Sequence, residues 1–391
     1  MIAFTFPGQG SQKPGMGSPW QTHPSWELVG EASDAAGRDV GALLLDADDD
    51  TLRETDNAQL ATFVQSLVVL DAVERTGVEP GAVAGHSLGE YSALVAAGVV
   101  SFADGVRLVA TRGAAMRRAA DDRPGTMAAV LGLSDDDAVL ACNNAAGDAW
   151  VANFNAPGQV VIAGTTTGIG IASERARALG AKKVLPLNVG GAFHTPLMAP
   201  ARARLGEALA ETHLHPTDIP VVANVDATAY DDAEPWRRLL AEQLCRPVRW
   251  RDGLHVLAEL GVTTFIEVGP GSVLTGLAKR TVKTATTASV STPDDLDGLL
   301  EKLTVASRPA APTDGDYLHG FERLIVSPAT GIFEPEPTLE PGYPVATGHV
   351  VGHVGEHEVR SPFTGRVAGV LALAGERLTS SQPVAWLRVE R

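Results

Sequence analysis

Most of the chain alternates between two rhythms, short apolar runs of strand length and longer stretches with apolar residues three and four apart. IAFTFPG from residue 2, AVAGHS from 82, VVANVD from 221 and TTFIEVGPG from 263 are compact apolar runs ending in glycine or polar residues, which predicts buried strands. Between them, residues 57–75, 88–98 and 104–120, TPLMAPARARLGEALAET and PWRRLLAEQL carry helical spacing, and 285–303 add a strand and a short helix. Strands alternating with helices predict a mainly parallel α/β sheet.

Residues 125–187 follow another order. TMAAVLGL reads as a strand and SDDDAVLACNNAA as a helix capped by Ser134. AWVANF and QVVIAG read as strands around the turn NAPG, GIASERARALG as a helix and KKVLPL as a last strand. This βαββαβ order predicts a ferredoxin-like subdomain inserted in the larger one. SRPAAPTDGD, residues 307–316, is rich in proline and polar residues and reads as the linker of a segment 304–316. Beyond it the texture turns to short strands with an internal echo, SPATGIF at 327–333 and SPFTGRV at 361–367. Two such half-units predict a small all-β module with internal pseudo-symmetry, spanning 317–391.

The chain's 391 residues allow two or three domains, and a formal net charge of -16 argues against nucleic acid or an anionic membrane as a general partner. Local basic clusters remain candidates for an acidic partner: Arg117 with Arg118, and Arg175, Arg177, Lys182 and Lys183. Taken singly, each cluster reads better as a solvated edge. Two cysteines, Cys142 and Cys245, exclude a disulfide framework and a cysteine-rich zinc site. MIAFTFPGQG lacks a basic segment followed by a long apolar core, and no window reaches the length of a membrane span. A cytoplasmic protein is expected.

In VAGHSLGEYSALVAAG, Ser87 stands between two glycines after a strand-like run and before a helix-like one. That is the layout of a nucleophile elbow, which would expose the hydroxyl at a helix N-terminus, with the N–H of Leu88 facing a developing oxyanion. A serine nucleophile needs a base. His86 is adjacent, but neighbours at an elbow point apart, so a structural role is expected for it. His194, in GGAFHTPLM, lies in a glycine-bounded loop and is the candidate base.

FPGQGSQ (6–12), GHSLGEYSAL (85–94), TRGAAM (111–116), NFNAPGQVVIAG (153–164), AFHTPLM (192–198), EQLCRPVRW (242–250) and EVGPGSVLTGL (267–277) occur in this order. Over residues 1 to about 303 the chain resembles the malonyl-CoA:acyl-carrier-protein transacylases, including stand-alone acyltransferases of polyketide synthases. The resemblance implies a hydrolase-like parallel-sheet core over 1–124 and 188–303. It implies that Ser87 attacks the thioester of malonyl-CoA while His194 takes its proton, with backbone N–H groups of Gln9 and Leu88 as oxyanion hole. It implies that a backbone carbonyl near Gln243 orients His194, with Glu267 as a rival orienter. Arg112 would hold the free malonyl carboxylate, a match of planar guanidinium to carboxylate; without the resemblance it reads as a helix-surface residue. Phe193 would fill the space beside the malonyl α-carbon and favour the unsubstituted acyl group. Asn155 would lie near the thioester and pantetheine arm, or simply serve the turn beside Pro157. Leu60 stands where the family more often has proline.

The implied reaction is ping-pong transfer of malonyl from malonyl-CoA to the phosphopantetheine thiol of a holo acyl carrier protein, for fatty acid or polyketide synthesis. Two alternatives stay open within the fold: an editing acyl hydrolase, and the malonyl transferase subunit of a malonate decarboxylase. A non-catalytic scaffold is a third, opposed by the intact Ser87, His194, Arg112 and Gln9. The tail resembles a biotinyl/lipoyl-type β-sandwich in which Val354 stands at the attachment lysine position. No lysine follows Lys302, so neither biotin nor lipoate is expected as a covalent cofactor. The tail then reads as a docking module for a carrier or synthase partner, or as a structural appendage. His349, His353, His357 and, upstream, His319 invite a metal reading, but His353 and His357 alternate with Gly, Val and Glu in a hairpin and read as a solvated turn, so no metal is expected.

Overall fold

The computed structural model describes residues 1–143, 148–306 and 321–389 of the chain. The sequence linker 307–316 and His319 lie outside the described residues. The chain divides into two compact units, Met1–Arg308 and Pro309–Arg391.

The first unit is built on a six-stranded sheet in the order Thr286–Val290, Thr264–Val268, Ile2–Phe6, Ala82–Gly85, Val221–Val222, Ala229–Tyr230. All neighbours are parallel except the last pair. Its central strands are apolar on both faces because helices cover both, which is why they read as continuous apolar runs rather than alternating ones. Helix Thr55–Glu74 is buried along nearly its whole length, and helix Phe102–Asp122 packs beside it. The VVANVD run forms only the two-residue strand Val221–Val222; Asn224 leaves the sheet to bind the elbow, as described below.

Between Asp122 and Asn188 the chain forms a second, antiparallel sheet in the order Ala149–Ala156, Gln159–Gly164, Thr126–Leu131, Lys183–Leu187. Helices Asp135–Asn143 and Thr166–Ala178 pack on it around Val130, Val151, Ile162 and Ile169. The six-stranded sheet has its own core, with Phe4, Phe6, Trp20, Phe63 and Trp236 fully buried.

The second unit is all β. One sheet runs Phe321–Val326, Pro383–Val389, Gly365–Val370, Pro344–Val345; the other runs His357–Arg360, Val350–Val354, Gly331–Pro335, Arg377–Leu378. Ile325, Phe333, Val351, Val359, Val367 and Leu387 form their common core. The sequence echo has a physical basis. Ser327 and Ser361 are both buried, and each hydroxyl bridges the residue two positions on, donating to its carbonyl and accepting from its N–H. Val354 is fully buried and pairs with His357 across the hairpin, whose turn is made by Gly355 at φ 61°.

Among the described residues no helix is long and apolar enough to cross a membrane. Nor do three His, Cys, Asp or Glu side chains gather there in a group that could hold a metal ion.

Candidate active site

Strand Ala82–Gly85 runs into helix Gly89–Ala96 through a turn so tight that two glycines are obligatory. A Cβ on Gly85 would lie 1.8 Å from the carbonyl oxygen of Gly89, and one on Gly89 would lie 2.0 Å from that of Phe6. Ser87 sits at the apex with φ 54°, in the left-handed region that costs a non-glycine residue about 1–3 kcal/mol. The strained turn is held by Asn224, whose Oδ1 accepts from the Ser87 N–H at 2.7 Å while its Nδ2 donates to the Gly85 carbonyl at 2.7 Å.

His194 reaches this serine from the loop after the inserted sheet, its own φ at 61°. Nε2 lies 2.7 Å from Ser87 Oγ and Nδ1 lies 2.8 Å from the main-chain oxygen of Gln243. A carbonyl can only accept, so the proton is assigned to Nδ1 and the Nε2 lone pair faces the hydroxyl. Burial first, and then the Arg112 charge, hold the imidazole down to about 3. The ring is therefore neutral near pH 7, the state in which it can take a proton.

Arg112 is 1% exposed, on the buried face of helix Phe102–Asp122, and not on its surface as the isolated pattern RGAAMRRAA suggests. Nη1 donates to Gln59 Oε1 at 2.6 Å, and Nη2 donates to Gln243 Oε1 at 2.9 Å and to Ser87 Oγ at 3.2 Å. The guanidinium also lies over the Tyr91 ring, 5.5 Å from its centre. No carboxylate among the described residues pairs directly with it, so its hydrogen bonds go to neutral acceptors. A buried cation so held is a receptor for an anion.

Both groups face one cavity of about 280 Å³. Phe193 and Asn155 line it, the latter with Oδ1 2.8 Å from His86 Nε2. His86 is partly buried and packs edge-on against Trp250; desolvation lowers its pKa, so it stays neutral and holds Asn155. Gln9 lines the cavity as well. Gly8 lies so close to the elbow that a Cβ there would be 2.5 Å from the His86 carbonyl oxygen. The N–H groups of Gln9 and Leu88 have no acceptor among the described residues. Thus Ser87, His194, Arg112, Phe193, Asn155 and Gln9 line one cavity, with Leu88 buried directly after the serine, while Gln243 stands behind the histidine and arginine. Glu267 does not join them: it accepts from the N–H groups of Leu274 and Thr275 at 3.1 and 2.7 Å and caps their helix. Arg117 is engaged elsewhere, with Glu54 and Asp56.

Four contributors escape a reading of motifs alone: Gln59, Glu90, Asn224 and the side chain of Gln243. Gln59, Glu90 and Asn224 are polar side chains buried within apolar stretches, which is the signal that could have found these three. Burial pushes the Glu90 carboxyl up to about 8, opposed by the Asn224 N–H, the Gln243 amide and the Arg112 charge.

An activated serine beside a buried cation defines an acyl-transfer or acyl-hydrolysis centre. The family described as an acyl transferase domain matches residues 3–305. The malonyl CoA-acyl carrier protein transacylase of Bacillus subtilis strain 168 is 41% identical over 308 residues, covering 77% of this chain and 97% of that protein. An acyl carrier protein S-malonyltransferase from Vibrio cholerae O1 biovar eltor superposes with a TM-score of 0.73 at 40% identity, over 76% of this chain and 99% of its own. A solved type II polyketide synthase acyl carrier protein in complex with its malonyl-transacylase gives 0.74 at 40% identity, over 77% and 99%. The chain belongs to the acyl transferase family and, within it, to the malonyl CoA-acyl carrier protein transacylases.

Proposed function

We propose that the protein transfers malonyl from malonyl-CoA to the phosphopantetheine thiol of a holo acyl carrier protein, in fatty acid or polyketide synthesis in the cytoplasm. The observation that carries this reading is the convergence on Ser87 Oγ of a neutral imidazole at 2.7 Å and a buried guanidinium at 3.2 Å.

In the first half-reaction His194 Nε2 takes the hydroxyl proton as Oγ bonds to the thioester carbonyl carbon. The carbonyl oxygen becomes an oxyanion that the free N–H groups of Gln9 and Leu88 receive. The C–S bond then breaks, the imidazolium returns its proton to the CoA sulfur, and malonyl remains on Ser87. In the second half-reaction the carrier thiol gives its proton to His194 and its sulfur attacks the acyl-serine, regenerating the hydroxyl. Gln243 O holds the imidazole in the needed tautomer throughout. Arg112 binds the free carboxylate of the acyl group, Phe193 packs beside the α-carbon, and Asn155, steadied by His86, lies toward the thioester.

In this reading the core is hydrolase-like, the 125–187 insert ferredoxin-like and the tail a biotinyl/lipoyl-like sandwich that carries no covalent cofactor and serves docking. Intact-mass measurement after exposure to malonyl-CoA tests the central claim. One malonyl adduct should form and be absent in Ser87→Ala, with CoA release beyond one equivalent requiring holo carrier protein. Sustained release without the carrier would identify a hydrolase instead.

A further inference from the structure

Glu90 is fully buried in the first turn of the elbow helix, and its carboxylate bonds to Asn224 and Gln243 rather than to the Ser87–His194 pair. Oε1 accepts from the Asn224 N–H at 2.6 Å, and Oε2 accepts from Gln243 Nε2 at 2.6 Å. Gln243 is a junction. Nε2 also donates to the Ser87 carbonyl at 2.8 Å, Oε1 accepts from Arg112 at 2.9 Å, and its main-chain oxygen accepts from His194 at 2.8 Å. We propose that Glu90 is a positioning residue for acyl selection, fixing the Gln243 amide so that its oxygen faces Arg112 and the guanidinium is held where a carboxylate-bearing acyl group meets it. This rests on the acyl-transfer reading above.

The argument is one of donors and acceptors. An amide can present either its oxygen or its NH₂ to a given neighbour, and the two ends are nearly the same size. Two acceptors, Glu90 Oε2 and Ser87 O, draw the NH₂ of Gln243 to one side, which leaves only its oxygen for Arg112. Without Glu90 a single carbonyl would hold that orientation against the alternative. Both partners of the carboxylate are donors, and each of its oxygens keeps a lone pair for its donor whether or not the group is ionised. A glutamine at position 90 has the same shape but must offer NH₂ to one of them. Turned toward Gln243, it favours the flipped amide and sets two donors face to face at Arg112. Turned toward Asn224, it pushes away the residue that holds the Ser87 N–H and the Gly85 carbonyl. The charged groups facing Glu90 are Arg112 from its helix and Asp226 from the loop after Asn224, with the Tyr91 hydroxyl beside it on the same helix.

The test is competition between malonyl-CoA and acetyl-CoA for transfer to holo carrier protein by the full chain, comparing wild type with Glu90→Gln and Glu90→Asp. The ratio of the two kcat/KM values does not depend on how much of the enzyme is folded. Glu90→Gln should lower kcat/KM for malonyl-CoA by about 10- to 100-fold and the malonyl-to-acetyl ratio by about tenfold, the loss of one or two charge-assisted hydrogen bonds. Glu90→Asp, which keeps two acceptors on a shorter stem, should lower the ratio by a few-fold. A wild-type ratio in either active variant, or equal loss for both substrates, would overturn the proposal and mark Glu90 as a packing residue. If Glu90→Gln does not fold, the aspartate variant decides by the same ratio. The wild-type malonyl adduct on Ser87, measured in parallel, keeps the parent reading separate: its absence refutes acyl transfer itself.

Discussion

Replacing Arg112 by methionine fills much of the same volume but removes the charge and every donor. In the free enzyme the change strands Gln59 Oε1 and Gln243 Oε1, now 2.6 and 2.9 Å from the guanidinium. Unpaired buried acceptors cost about 1–3 kcal/mol each, so the variant should melt several degrees lower. In the acyl-enzyme the loss falls on one substrate only. A malonyl carboxylate forfeits two charge-assisted hydrogen bonds worth about 1.5–3 kcal/mol each, whereas an acetyl group forfeits none. At about 1.4 kcal/mol per tenfold, the malonyl-to-acetyl ratio of kcat/KM should fall by about 100-fold or more. Removing the cation also relieves the second of the two main causes that depress the His194 pKa, so the acid limb of acyl loading should move upward. The assay is competitive loading of both thioesters, read by intact mass, with the melting curve alongside. A variant that still prefers malonyl by the wild-type factor would refute the assignment of Arg112 as the carboxylate receptor.

Since the His194 imidazole sits at about 3 in the fold against 6.5 when free, the rate of acyl loading should stay level as pH falls through 6.5. The associated stabilisation is complete above about pH 6.5 and is lost as pH falls toward 3, because unfolding then takes up a proton. Quenched single-turnover loading between about pH 5 and 8 checks this, and an inflection at 6.5 would mean a solvated ring. Gly89→Ala places a methyl group 2.0 Å from the Phe6 carbonyl oxygen, so it should cost about 3 kcal/mol or more and lower the melting temperature; an unchanged melt would contradict the elbow packing. Val354→Lys should destabilise the second unit by burying an ammonium and should stay unbiotinylated when coexpressed with a biotin ligase. A strong streptavidin signal would show that the side chain reaches the hairpin surface.

The strands and helices that carry the nucleophile were legible because they obey local rules. IAFTF and AVAG are apolar on both sides, as parallel strands under helices must be, and the glycines of GHSLG announce a turn that no Cβ could enter. The reach of His194 across more than a hundred positions, and the burial of Arg112, could be assigned only through the ordered motifs, since periodicity alone places a guanidinium on the outside of its helix. What stayed hidden was the scaffold between them. Asn224 lay within an apolar run read as strand, and its departure from the sheet is driven by a contact with Ser87, 137 positions away in sequence. Glu90 was visible in the motif but mute, because a carboxylate signals its role only through the donors around it. The Gln243 side chain could not be separated from its backbone, since both act on different partners.

Ser87 stands on a turn of the large sheet and His194 on the loop that leaves the inserted one, while Met127, Ala129, Val161 and Leu187, on strands of the inserted sheet, line the same cavity. Part of the chamber's lining therefore comes from a sheet that carries neither the nucleophile nor the base. Residues of the insert can be exchanged to reshape what the chamber accommodates, as a locksmith recuts a key without touching the bolt.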